Sequence, residues 1–171
     1  MDLLHPKLVH LPIALAILMP LFSGVLALAI LRGWLPLRSW LLAVGAQLIL
    51  VASSVLAMRS GEDDEERVEG RVPESALEAH EEAAERFTWS AAAALLLTLS
   101  PLLLHRHRRA VAFGMIATTA AAGGVLWLGY EVGRAGGELV YRHGAAAAYA
   151  TSLPAAGATP TAPRRGGDDD R

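Results

Sequence analysis

Six histidines and no cysteine set the chemistry open to this 171-residue chain. Without thiolates there are no disulfides, no Cys-ligated iron-sulfur cluster and no covalent C-x-x-C-H haem, so any metal or cofactor must be held by nitrogen or oxygen. Neutral imidazoles suit haem iron, zinc and copper. The histidines fall in distinct contexts: His5 and His10 flank Pro6 at the mouth of an apolar run, His80 sits in an acidic stretch, His105 and His107 alternate with arginines, and His143 follows the last apolar run.

The elements that must position them are membrane spans. Hydrophobic residues make up 53% of the chain, with a positive mean hydropathy, above the share of ordinary soluble domains. Leu8 to Leu31 is uncharged and spans about 36 Å as a helix, more than the ~30 Å hydrocarbon core. Further apolar runs at 39–58, 87–104 and 110–131 complete an all-α, integral membrane four-helix bundle. The first run has no cationic start beyond Lys7 and is longer than the apolar region of a cleaved leader, so it is expected to be retained. Trp34, Trp40, Trp89 and Trp127 fall near span ends, where an aromatic belt is expected.

Charge placement orients the bundle. "RGWLPLR" (32–38) and "HRHRR" (105–109) are short and Arg-rich, whereas 59–86 holds eleven acids against four arginines. The positive-inside rule puts the two short connections in the cytoplasm, and 59–86 and both termini outside. No basic stripe suggests nucleic acid; the bilayer is the expected partner. The Pro/Ala/Gly-rich end, 148–171, reads as a disordered tail.

Within the outer acidic segment, "VPESALEAHEEAAERF" predicts an amphipathic helix leading into the third span, with Ser75 and Glu78 at capping-box spacing. Its 3.6-residue period puts Leu77, His80, Ala84 and Phe87 opposite the glutamates. His10 shares a face with Ala14, Ile17, Leu21 and Gly24, expected to pack inward, and Pro6 is expected to hold His5 in an extended approach. Gly136 and Gly137 are expected to end the fourth helix and return His143 to the bundle mouth. Four histidines, His5, His10, His80 and His143, then gather on the outer side.

This placement predicts a b-type haem electron-transfer module with His10 and His80 as axial ligands, His5 and His143 around them, and Arg134 or Arg142 pairing the propionates. Membrane or periplasmic redox proteins are the partners such a module implies. The alternatives are a non-catalytic scaffold with structural histidines, or a divalent-metal site at the same cluster. Proton chemistry is a weaker option, because no buried carboxylate lies within the spans, and the chain is expected not to be an enzyme in its own right. Gly45, Gly114, Gly123, Gly124 and Gly129 read as helix-packing contacts, and Gln47, Ser53, Ser54, Thr98, Thr118 and Thr119 as hydrogen-bonding partners for backbone or neighbouring helices. Pro20 and Pro101 are expected to kink their helices.

"HPKLVHLPIAL" (5–15) and "GGELVYRHG" (136–144) resemble the opening H-P-x-x-V-H-F-P-I-A-L and closing G-G-x-L-V-Y-x-H-G of a bacterial family of predicted four-span membrane proteins, a domain of unknown function. His80 resembles that family's histidine before its third span. The chain departs at Leu11, where the pattern has Phe, and at "HGAAAA", which replaces H-G-V-G-V. Relatives joined to Rieske or cytochrome c domains imply membrane redox chemistry.

Overall fold

The computed structural model describes residues 5–68 and 70–147. The expected tail, 148–171, lies outside them. A short helix α1 (His5–Leu8) leads into α2 (His10–Leu31), and a 3-10 turn (Leu37–Trp40) leads into α3 (Leu41–Val68). Two long helices follow, α4 (Glu74–Leu103) and α5 (Arg108–Tyr141). Helix α2 packs on α3, α3 on α4, α4 on α5 and α5 back on α2, a closed ring of consecutive helices. All four are long and apolar enough to cross a membrane.

Two ends result. The arginine end carries Arg32, Arg38, Arg106, Arg108 and Arg109, all exposed. The histidine end gathers α1, the end of α3, the start of α4 and the end of α5. At ~1.5 Å per residue α4 and α5 reach about 45 and 51 Å, well beyond the hydrocarbon thickness. The excess lies at the histidine end, where Glu74, Glu78, Glu82, Glu85 and Arg86 are exposed and stand clear of the apolar stretch beginning at Phe87.

The core is lined by small and flexible residues. Ala16, Met19, Leu50, Phe87, Ala91, Ala94, Ala122 and Val125 form its central cluster. Helix association in lipid depends on such close packing, because leucine gains nothing by leaving acyl chains. Accordingly Leu21, Leu42, Leu96 and Phe113 face outward. Gly114 gives the tightest crossing, since a Cβ there would stand 2.6 Å from Ser100 Oγ. Gly129 admits Phe87, but no atom lies within 4 Å of where a Cβ would sit at Gly45, Gly123 or Gly124, so these three are not close-packing contacts within the chain.

The polar core residues satisfy backbone. Gln47 Nε2 donates across the bundle to the Ala91 carbonyl at 2.9 Å. Ser53, Ser54, Thr98, Thr118 and Thr119 donate to carbonyls three or four residues earlier in their own helices. Helix α4 runs through Pro101, whose missing N–H would leave the Leu97 carbonyl unpaired. The Ser100 hydroxyl fills that role at 2.7 Å.

Several expectations are corrected. Helix α3 does not stop at residue 58 but continues to Val68, because Glu and Arg are good helix formers. The Ser75–Glu78 capping box does not form: Pro73 is the N-cap residue and no side chain caps the helix. Trp40 belongs to the core rather than the belt, fully buried with Nε1 donating to the Thr98 carbonyl at 2.8 Å. Helix α5 runs through Gly136 and Gly137, and beyond it the backbone turns to positive φ at Gly144, φ 70°. His5 opens helix α1 instead of an extended approach, since Pro6 is well tolerated in a first turn.

Candidate functional site

Two of the four histidines, His5 and His80, come near enough at the histidine end to influence each other electrostatically. His5, carried by α1, projects onto α3, where its Nδ1 lies 2.9 Å from the Ala57 carbonyl and 3.1 Å from Ser60 Oγ. A carbonyl only accepts, so Nδ1 carries the proton and Nε2 keeps its lone pair. Ser60 Oγ donates to the same carbonyl at 2.8 Å. This is the arrangement that orients metal-binding histidines, one ring nitrogen tied to a carbonyl and the other left as a donor of electrons.

His80 enters from α4 on its buried face, in line with Phe87. Its Nδ1 is buried and has no hydrogen-bond partner among the described residues. Burial pushes its pKa below the ordinary imidazole value and the nearby His5 pushes the same way, while the Val132 backbone opposes them. The ring is therefore held neutral, with an unsatisfied nitrogen. A buried polar atom left unpaired costs about 1–3 kcal/mol, so it calls for an explanation.

Two glycines make room for the pair. A Cβ at Gly61 of α3 would stand 3.2 Å from His5 Cε1, and one at Gly136 of α5 would stand 3.1 Å from His80 Cε1. Both distances are shorter than ordinary contact, so each glycine is a seat for an imidazole. Four elements thus contribute at this end: α1 and α4 the rings, α3 and α5 the spaces. Sequence reasoning missed Gly61, Ser60 and the Ala57 carbonyl. The available signal was the glycine itself, which in a helix interior loses about 1 kcal/mol against alanine and so implies a packing reason.

His10 and His143 lie elsewhere. His10 is exposed, its Nδ1 3.4 Å from the Lys7 carbonyl, and Ala14, Ile17 and Leu21 share that exposed stripe. The buried face of α2 is instead Pro12, Ala16, Met19, Ser23, Leu26 and Ala27, although Gly24 does approach Thr119. His143, half-buried after α5, lines a separate cavity of about 410 Å³ between α4 and α5. Arg134 and Arg142 are engaged by acids of their own helix, Arg134 with Glu131 at 3.0 Å and Arg142 with Glu138 at 2.7 Å. His105 and His107 are exposed at the arginine end.

Residues 2–148 match the family described as Predicted membrane protein (DUF2231). The chain belongs to the DUF2231 family. The match covers every described helix of this DUF2231 protein, from the histidine of α1 to the turn that carries His143. Neither a curated protein nor a solved structure matches it.

Proposed function

We propose that this DUF2231 protein is a membrane electron-transfer module in which His80 and His5 would hold a b-type haem at the histidine end. The observation that carries this reading is the buried, unpartnered Nδ1 of a neutral His80 beside a His5 whose own tautomer is fixed by a carbonyl. Two neutral nitrogen donors are the donor set a low-spin haem takes. Bound there, the haem would supply reversible one-electron transfer. The chain would supply apolar packing above Phe87, a hydrogen bond that orients one ligand, and access to water for the propionates. His5 replaces His10 in the pair because His10 lies on the exposed stripe of α2.

The five exposed arginines at the opposite end support placing the histidine end, and both termini, outside the cytoplasm in the bacterial inner membrane. A redox partner would then dock from the membrane or the periplasm. The protein would pass electrons and make no product of its own.

A second reading is favoured by the same hydrogen bond: His5 staples α1 to α3, and His80 fills the space at Gly136. The protein would then be a scaffold with structural histidines. A divalent-metal site has less support, since no group of three His, Asp or Glu able to hold an ion occurs among the described residues.

An absorption spectrum separates the readings. Protein purified in mild detergent from haem-replete cells is expected to show a Soret band that shifts on dithionite, is lost in His80→Ala and His5→Ala, and survives in His10→Ala. Colourless, folded protein from such cells overturns the haem reading and leaves the scaffold.

A further inference from the structure

The cavity between α4 and α5 lies apart from the imidazole pair. On α4 it is bordered by Ala79, Ala83 and Arg86, and on α5 by Leu128, Glu131 and Arg134, whereas His80, Val132 and Gly136 sit about 100° further round their helices and face the bundle interior. Its height relative to the bilayer follows from the aromatic residues. Trp89, Trp127 and Tyr130 are 73%, 64% and 60% exposed, the last two with rings 5.7 Å apart. Rings so placed sit at head-group level. Arg86 lies one turn beyond Trp89, and Glu131 directly follows Tyr130, so the cavity opens where phospholipid head groups lie.

Its charges are balanced. Arg86 and Arg134 face Glu131 and Glu138, a formal sum of zero, with Ser75 and His143 at the far side. Arg134 is shared between Glu131 at 3.0 Å and Glu138 at 3.9 Å. Arg86 donates from Nε to the Glu82 carbonyl at 3.1 Å, but its terminal NH2 comes no nearer than 3.8 Å to an exposed Glu82 carboxylate. The Arg86 fork is thus open to a second anion, and Glu131 uses only Oε2 on Arg134.

We propose that this cavity binds the head group of a zwitterionic aminophospholipid from the leaflet at the histidine end. The phosphate meets Arg86 and Arg134, the primary ammonium donates to Glu131, and the apolar floor of Ala83 and Leu128 takes the glycerol. Guanidinium suits phosphate through paired N–H donors. A primary ammonium suits a carboxylate, whereas a quaternary one has no N–H to donate and favours aromatic cages. A purely anionic lipid would leave both glutamates repelled. The proposal stands apart from the haem reading.

The test uses the full chain, delipidated in detergent and offered an equimolar mixture of phosphatidylethanolamine, phosphatidylcholine and phosphatidylglycerol, with bound lipid read by native mass spectrometry. Phosphatidylethanolamine is expected to be enriched about tenfold, the effect of one charge-assisted hydrogen bond. Glu131→Gln should bring it near parity, whereas Arg86→Gln should lower the total lipid bound about tenfold, because all three lipids carry the phosphate, and Arg86→Lys should keep most of it; retained helical circular dichroism shows that the variants fold. Enrichment of either other lipid, a preference unchanged in Glu131→Gln, or total binding unchanged in Arg86→Gln overturns the proposal. Free glycerophosphoethanolamine at the same concentration should leave the lipid bound. Its displacement would assign the cavity to a soluble phosphate ester and overturn the lipid assignment.

Discussion

His80 and Gly136 form the tightest residue-scale coupling at the histidine end. A methyl at Gly136 would press on the His80 ring at 3.1 Å, so Gly136→Ala should lower the thermal midpoint by the equivalent of about 1–3 kcal/mol. Adding it to His80→Ala should cost less than the sum of the two, because the clash has gone. Thermal unfolding in detergent across this double-mutant cycle measures the coupling, and strict additivity would refute the contact. His80 also sets a pH dependence. Its native pKa lies below the ordinary 6.5, so the unfolded chain binds a proton that the folded chain excludes. Stability is full above about 6.5 and falls as pH drops through the lowered native value. The wild type should therefore lose more of its thermal midpoint between about pH 8 and about pH 5 than His80→Gln does.

Helix crossings belong to the scale of elements, where α4 and α5 meet at Ser100, Pro101 and Gly114. Gly114→Ala would bring a methyl to 2.6 Å from Ser100 Oγ, and the hydroxyl cannot simply turn away, because it pairs with the Leu97 carbonyl that Pro101 leaves without its donor. A loss of about 1–3 kcal/mol is expected, read as a lower denaturation midpoint in mixed detergent. Trp40→Phe should cost about 1 kcal/mol by leaving the Thr98 carbonyl one donor short while keeping most of the ring packing. Elements were legible in the sequence to different degrees. Apolar run length marked all four spans, because hydrocarbon thickness is a threshold that composition alone meets or fails. The inward face of α2 was not legible: it is apolar all round, so no periodicity separates the lipid-facing His10 stripe from the buried Ala16 and Met19 side. On α4 the glutamates supply the contrast, and there the burial of His80 beneath them follows the pattern.

For the whole molecule, orientation is the property with the most consequence, since it decides which compartment meets the histidines. The chain contains no cysteine, so single cysteines report on it cleanly. With Glu78→Cys at the histidine end and Arg106→Cys in the basic loop, a membrane-impermeant maleimide applied to intact spheroplasts should label the first and reach the second only after lysis. The reverse pattern would put the imidazole pair in the cytoplasm and remove periplasmic redox partners from the proposal.

By itself the sequence determined the class, the number of spans, the segregation of arginine from acid, and the gathering of His5, His80 and His143 at one end. These follow from one-dimensional quantities: apolar length, charge position and chain direction. Only the tertiary structure decided which histidines turn toward the bundle and which toward lipid or water. Rotation of α2 exposes His10, and the short helix α1 swings His5 onto Ala57 and Ser60. Gly136 continues α5 as a seat for His80 rather than breaking it. The reason is that a glycine tolerates both a helical and a left-handed backbone. Which one it adopts depends on what packs against it, here an imidazole from a helix more than fifty residues earlier in the chain.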